Sequence, residues 1–250
     1  MVELPGTWTE TEVAGHPCDL YEPPRPSEHG DAVVYLHGVH LNRLVDQPAF
    51  TEQFARHGLR VIAPRTGPTW WTDRITEVFD VEMSAETYVL GHVMPYVAGR
   101  WGSRPPRIAL LGTSMGGQGA LRMAFKHPDT FPVVAAISPA IDCQWRMERG
   151  DPVLEELYGD PESARQDTAL LHIHPLNWPR HIFFACDPGD DPWFESAEKL
   201  QMKLASLGIP FECDLESEAG GHGFAYYSAV ADKAVGFIAQ RLERERLRIV

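Results

Sequence analysis

Ile108-Ala109-Leu110-Leu111-Gly112-Thr113-Ser114-Met115-Gly116-Gly117 reads as a buried strand running into a glycine-lined turn, and a helical segment, Gln118 to Lys126, follows it. A serine at the apex of such a strand, turn and helix sits in a strained backbone conformation. The residues two before and two after it crowd its flanks, so side chains at Gly112 and Gly116 would block the turn. This context makes Ser114 a candidate nucleophile. The alternative is a glycine-rich loop that only turns the chain or binds an anion.

The chain has 250 residues, 44% hydrophobic and 10% aromatic, enough for one α/β domain with a sizeable core. Its formal net charge of -13 argues against a nucleic-acid partner, which needs a basic surface. No apolar run approaches membrane-spanning length, so no membrane partner is expected. The start, Met1 to Gly6, lacks a basic region followed by an apolar one and does not read as a signal peptide. Cys18, Cys143, Cys186 and Cys213 are widely spaced without a C-x-x-C pair. Buried free thiols and a cytoplasmic location are the expectation.

Working outward from the elbow, strands alternate with helices. Thr7–Val13 and Cys18–Tyr21 predict a hairpin across Ala14-Gly15. Ala32–Leu36 predicts a buried strand, Ala49–His57 a helix closed by Gly58, and Leu59–Ala63 the next strand. Ala85–Trp101 is a long helical pattern interrupted by Pro95. Arg107–Leu111, Val133–Ile137, Ile182–Ala185 and Phe211–Leu215 predict further strands, Trp193–Leu207 and Tyr226–Leu247 further helices. The implied fold class is α/β, a mainly parallel twisted sheet with helices on both faces. A small irregular, cap-like excursion around 139–179, with a short helix at Pro152–Tyr158, is expected to form one wall of a substrate site. In such sheets function sits at the carboxyl ends of the strands.

A serine hydroxyl is a weak nucleophile until a base takes its proton, and the base is usually a histidine oriented by a carboxylate. Of 11 histidines, His222 alone follows the acidic cluster 187–191. It lies in Gly220-Gly221-His222-Gly223, where glycines let a loop swing the ring over the elbow. The acid is sought after Ile182–Ala185, in Asp187-Pro188-Gly189-Asp190-Asp191. Asp191 is the first choice, Asp190 the second and Asp187 the third, with Asp142 a remote alternative; those not used become turn formers or helix caps. Preorganised N–H groups must meet the oxyanion, each worth roughly 3–4 kcal/mol. The backbone N–H of Met115 and that of Val39, in His37-Gly38-Val39-His40, are the candidates, with His40 as the alternative to Val39. His37 is read as bracing this loop.

These residues together resemble the α/β-hydrolase superfamily, and within it the esterase group that includes esterase D-like enzymes. The resemblance covers nearly the whole chain from His37-Gly38 to the last helix, with Ser138-Pro139, Leu157-Tyr158-Gly159 and Cys186-Asp187-Pro188 as supporting pieces. It implies carboxylic-ester hydrolysis through Ser114, His222 and Asp191, and favours Asp191 over its neighbours. The loop His-Gly-Val-His departs from the form associated with formylglutathione hydrolases, so S-formylglutathione is not the implied substrate.

Trp70-Trp71 are candidates to line an acyl pocket, the alternative being a plug beneath the loop. Trp145, with Met147, is a second candidate for substrate contact, as is His40. His172-x-His174 has no carboxylate or cysteine at ligand spacing, so no metal is expected. No dinucleotide fingerprint is present, so no cofactor is expected. Leu242–Val250 reads as a solvated helix end. The reading is a serine carboxylesterase for small to medium esters. The alternatives are an acyltransferase or thioesterase with the same three residues, and a non-catalytic ligand-binding protein.

Overall fold

The computed structural model describes residues 4–248; Met1 to Glu3 and the last two residues of the Leu242–Val250 stretch lie outside the described residues. The strands are β1 (Thr7–Val13), β2 (His16–Glu22), β3 (Ala32–Leu36), β4 (Arg60–Pro64), β5 (Ile108–Thr113), β6 (Val133–Ile137), β7 (His181–Ala185) and β8 (Glu212–Asp214). They form one sheet in the order β1-β2-β4-β3-β5-β6-β7-β8. The β1–β2 and β2–β4 pairs are antiparallel, and from β4 to β8 every pair is parallel.

The helices are α1 (Pro48–His57), α2 (Ala85–Tyr88), α3 (Met94–Trp101), α4 (Met115–Lys126), α5 (Cys143–Met147), α6 (Pro152–Tyr158), α7 (Pro161–Gln166), α8 (Trp193–Ser206), α9 (Phe224–Ala229) and α10 (Ala231–Arg246). They cover both faces of the sheet. Alternate strand residues explain why two layers are needed. Val33, Tyr35, Ala109, Leu111 and Ala135 face α1 and α10, while Val34, Leu36, Leu110 and Val134 face the layer holding α4 and α8.

Local chemistry sets the element ends. Pro48 opens α1 and Gly58 closes it at φ 65. Asp151 caps α6 by accepting from the Val153 and Leu154 N–H groups, and Gly159 ends that helix at φ 74. Between α2 and α3, Val89–Val93 forms a π-helical turn just before Pro95. Pro95 has no N–H for the α-helical ladder, so the long pattern seen in sequence is one helix with a widened turn.

Two expectations change. The 139–179 stretch is not irregular throughout, because α5, α6, α7 and a 3-10 turn at Ala169–His172 occupy much of it. The short helix expected at Pro152–Tyr158 is present as α6, whereas α5 and α7, of five and six residues, are too short for an apolar period to register. The C-terminal helix is also divided, at Val230, whose backbone (φ -106, ψ 6) leaves the helical region. The break lets α9 pack at the strand ends while α10 runs along the sheet.

This stretch is tied to α4 by a buried charge cluster. Arg122 on α4 is 2% exposed, meets Glu86 of α2, and donates to Asp167 through Nη2 at 2.7 Å. Lys126 and His127 also reach Glu86, at 2.7 and 2.9 Å. No helix among the described residues is long and apolar enough to cross a membrane.

Candidate active site

The loops after β3, β5, β7 and β8 converge at the carboxyl edge of the sheet. Ser114 joins β5 to α4 with φ 55 and ψ -120, a conformation that costs about 1–3 kcal/mol and persists only where packing enforces it. The enforcement is visible. The Ser114 N–H donates to Ile137 O at 2.9 Å, and Ser114 O accepts from Gln118 and Ala140. A Cβ on Gly112 would lie 2.0 Å from Gly116 O, and one on Gly116 would lie 1.9 Å from Leu36 O. Glycine is therefore obligatory at both positions.

His222 lies over this serine. Its Nε2 is 2.8 Å from Ser114 Oγ, and its Nδ1 is 2.8 and 3.0 Å from the two carboxylate oxygens of Asp190. An ionised carboxylate only accepts, so Nδ1 carries the proton and Nε2 accepts from the serine hydroxyl.

The carboxylate that meets His222 is thus Asp190, not Asp191. The Asp190 N–H closes a turn onto Asp187 O at 2.9 Å, and its carbonyl accepts from Phe194 at the start of α8. That turn aims the Asp190 side chain inward, where it is 1% exposed, and leaves Asp191 facing solvent. Asp187 is buried as well but works on the backbone. Its Oδ2 accepts from Ala219 and Gly221 N–H at 2.6 and 3.0 Å, and its Oδ1 from Gly189 at 2.8 Å. Burial acts to raise its pKa, but the three N–H groups outweigh this and hold the carboxyl below its ordinary value. One carboxylate so clamps the loop after β7 to the loop carrying His222. Asp142 caps α5 by accepting from the Trp145 N–H at 2.9 Å.

A cavity of about 80 Å³ opens beside Ser114, bounded by Val39, His40, Asn42, Phe224 and Tyr227. Val39 and His40 are therefore brought to the serine. Met115 is the first residue of α4, where a backbone N–H has no partner within the helix. His37 braces the β3 loop. Its Nδ1 donates to Gly38 O at 2.9 Å and its Nε2 accepts from Thr66 N–H at 3.2 Å. Burial lowers its pKa to about 4, so it stays neutral.

Trp70 and Trp71 do not line the cavity. They are 2% and 0% exposed and pack beneath the loop. Trp71 Nε1 donates to His37 O at 3.0 Å, its Cβ crowds Gly119 of α4, and Trp70 N–H meets Met115 Sδ. They are a plug that fixes the loop to α4, the helix that follows Ser114. Trp145 is also set back. Its ring is 5.4 Å from that of Trp193, which in turn is 6.4 Å from His222, and Arg149 lies 3.8 Å over its outer face. Met147 is buried in the core.

Sequence reasoning missed Phe224 and Tyr227. Tyr227 meets the His222 ring edge-on at 5.6 Å, and Phe224 packs on Tyr227 at 5.1 Å. Their signal was an aromatic pair two and five residues after His222; Phe224 ended the glycine loop and Tyr227 fell in a stretch read as plain helix. His172 pairs with Asp167 at 2.7 Å and His174 accepts from Leu176 N–H, so both serve local structure. Among the described residues no three potential metal ligands cluster. A larger groove of about 570 Å³ beside β8 is open, lined by Glu212, Asp214 and Lys233, and holds none of the groups above.

Comparison with known proteins places the chain among esterases. A family model described as "Putative esterase" matches residues 16–229. The chain is 26% identical over 150 residues to S-formylglutathione hydrolase of Bos taurus, a match covering 50% of this chain and 53% of that one. It is 25% identical over 204 residues to the diacylglycerol acyltransferase/mycolyltransferase Ag85B of Mycobacterium avium, covering 73% of this chain and 61% of that one. The chain thus spans about half to three-fifths of these curated relatives. Among solved structures, the S-formylglutathione hydrolase of Agrobacterium tumefaciens superposes with a TM-score of 0.74 at 19% identity, covering 97% of this chain and 98% of that one.

Proposed function

The chain belongs to the esterase family of the α/β-hydrolase superfamily, and we propose that it is a serine carboxylesterase acting on small to medium carboxylic esters through Ser114, His222 and Asp190. The observation that carries this reading is the continuous hydrogen-bonded chain from Ser114 Oγ through His222 to Asp190, with the serine on a strained turn. His222 Nε2 takes the hydroxyl proton as Ser114 Oγ attacks the ester carbonyl. The N–H groups of Met115 and Val39 hold the oxyanion. His222 then passes the proton to the departing alkoxide, leaving an acyl-serine. Water, losing its proton to the same nitrogen, releases the acid. Asp190 accepts from Nδ1–H and holds the ring in the orientation that lets Nε2 serve as base. The cavity of about 80 Å³ beside Ser114 suits a short acyl group. No cofactor enters these steps.

Replacing Ser114 by alanine and assaying p-nitrophenyl acetate tests the reading. Turnover should fall by roughly 10³-fold or more, to what the oxyanion N–H groups and binding alone supply. Wild-type turnover in Ser114→Ala would refute it.

A second reading is acyl transfer by the same acyl-serine. The 73% of the chain that matches the mycobacterial acyltransferase favours keeping it. Adding an alcohol or thiol acceptor separates the two. Transfer that outruns hydrolysis in water would make the protein a transferase.

A further inference from the structure

We propose that the Cys186 thiol is a positioning residue for Asp190, stabilising the carboxylate charge that faces His222. The proposal rests on the catalytic reading above. The Asp190 side chain has no solvent exposure, and an ionised carboxylate in such a place needs donors. Among the described residues two side-chain groups supply them. One is His222 Nδ1, and the other is the Cys186 thiol, whose Sγ donates to Oδ2 at 3.6 Å. The contrast with Asp187 is instructive. Asp187 receives three backbone N–H groups, whereas among the described residues none reaches the Asp190 carboxylate.

The thiol is fixed for this task. Cys186 directly follows β7, is fully buried, and donates its own N–H to Asp214 O at 3.0 Å. Ser138 adjoins it, because Ser138 N–H donates to Ala185 O at 2.7 Å, and its hydroxyl is buried beside β7 with no geometric hydrogen-bond partner among the described residues. Burial and the Asp190 charge push the Cys186 thiol well above its usual range, so it remains a donor at working pH. The other ionisable groups around it are silent between pH 5 and 9. Asp187 and Asp214, from the loops after β7 and β8, are held below their ordinary values against burial by N–H groups and by Lys233. Tyr226 and Tyr227, from α9, are pushed above theirs by burial. A shift in the acid limb of activity therefore reports the Asp190–His222 pair.

Removing the donor concentrates charge on Oδ2. The carboxylate then holds a proton, or grips the imidazolium proton, to higher pH, and either change moves the acid limb upward. A packing defect alone lowers turnover and leaves the limb in place. The test is kcat/KM for p-nitrophenyl acetate from pH 5 to 9 in wild type, Cys186→Ala, Cys186→Ser and Ser114→Ala. In Cys186→Ala the limb should rise by about half a pH unit, with kcat/KM at pH 7 down roughly three- to tenfold. Cys186→Ser restores a donor and should bring the limb back. Should the alanine variant fail to fold, Cys186→Val, also donor-free, carries the same measurement. A donor-free variant whose limb coincides with wild type overturns the proposal, as does a serine variant shifted as far as alanine. Full turnover in Ser114→Ala would instead overturn the catalytic reading beneath it.

Discussion

His222 Nδ1 lies within hydrogen-bond distance of both carboxylate oxygens of Asp190, at 3.0 and 2.8 Å, while its Nε2 lies 2.8 Å from Ser114 Oγ. The imidazole is thereby fixed in one tautomer and one orientation, and both are needed for it to accept the serine proton.

Asp190→Asn keeps the shape but offers an amide to the ring and favours the wrong tautomer. A fall in kcat of about 10³- to 10⁴-fold is expected. Asp191→Asn, at an exposed position, should stay within about threefold of wild type, since surface changes rarely propagate. Steady-state kinetics of the two variants side by side check this, and equal losses would reverse the assignment.

The choice between these neighbours shows where sequence runs out. The elbow and His222 were legible because glycines and flanking strands mark them locally. Three carboxylates within five residues carry no such mark. Which one turns inward depends on the Asp190 N–H to Asp187 O turn and on the start of α8, and both depend on packing. The same holds for Trp70 and Trp71. An aromatic pair at a strand end reads as a pocket or a plug, and the close approach of Trp71 to Gly119 and His37 decides for the plug. The parallel sheet was legible from alternating apolar runs, but α5 and α7 were too short to read.

His37 predicts a pH-dependent stability. Its folded pKa, lowered by burial to about 4, lies below the unfolded value near 6.5. Between these values the unfolded chain binds more protons, so stability falls as pH drops from about 6.5 to about 4 and the loss then levels off. The full contribution is about 3 kcal/mol. Thermal melts at pH 7.5 and pH 5 should differ less in His37→Gln than in wild type. Equal differences would remove His37 from the account.

The buried cluster on α4 makes a second stability prediction. Arg122→Met leaves Glu86 short of its guanidinium partner in a site where both are 2% exposed. The cost should be about 3 kcal/mol, because a buried charge loses compensation. At this chain length that is a fall in Tm of roughly 6–12 °C by calorimetry. Adding Glu86→Met should recover part of it. A double variant that melts below the single one would contradict the ion-pair explanation.

The central claim is that Ser114 is the nucleophile, and stoichiometric labelling with a fluorophosphonate tests it most directly. The account predicts one adduct per chain, located on the peptide carrying Ser114, with esterase activity lost in step with labelling. Labelling that leaves activity intact, or an adduct on another residue, would contradict it.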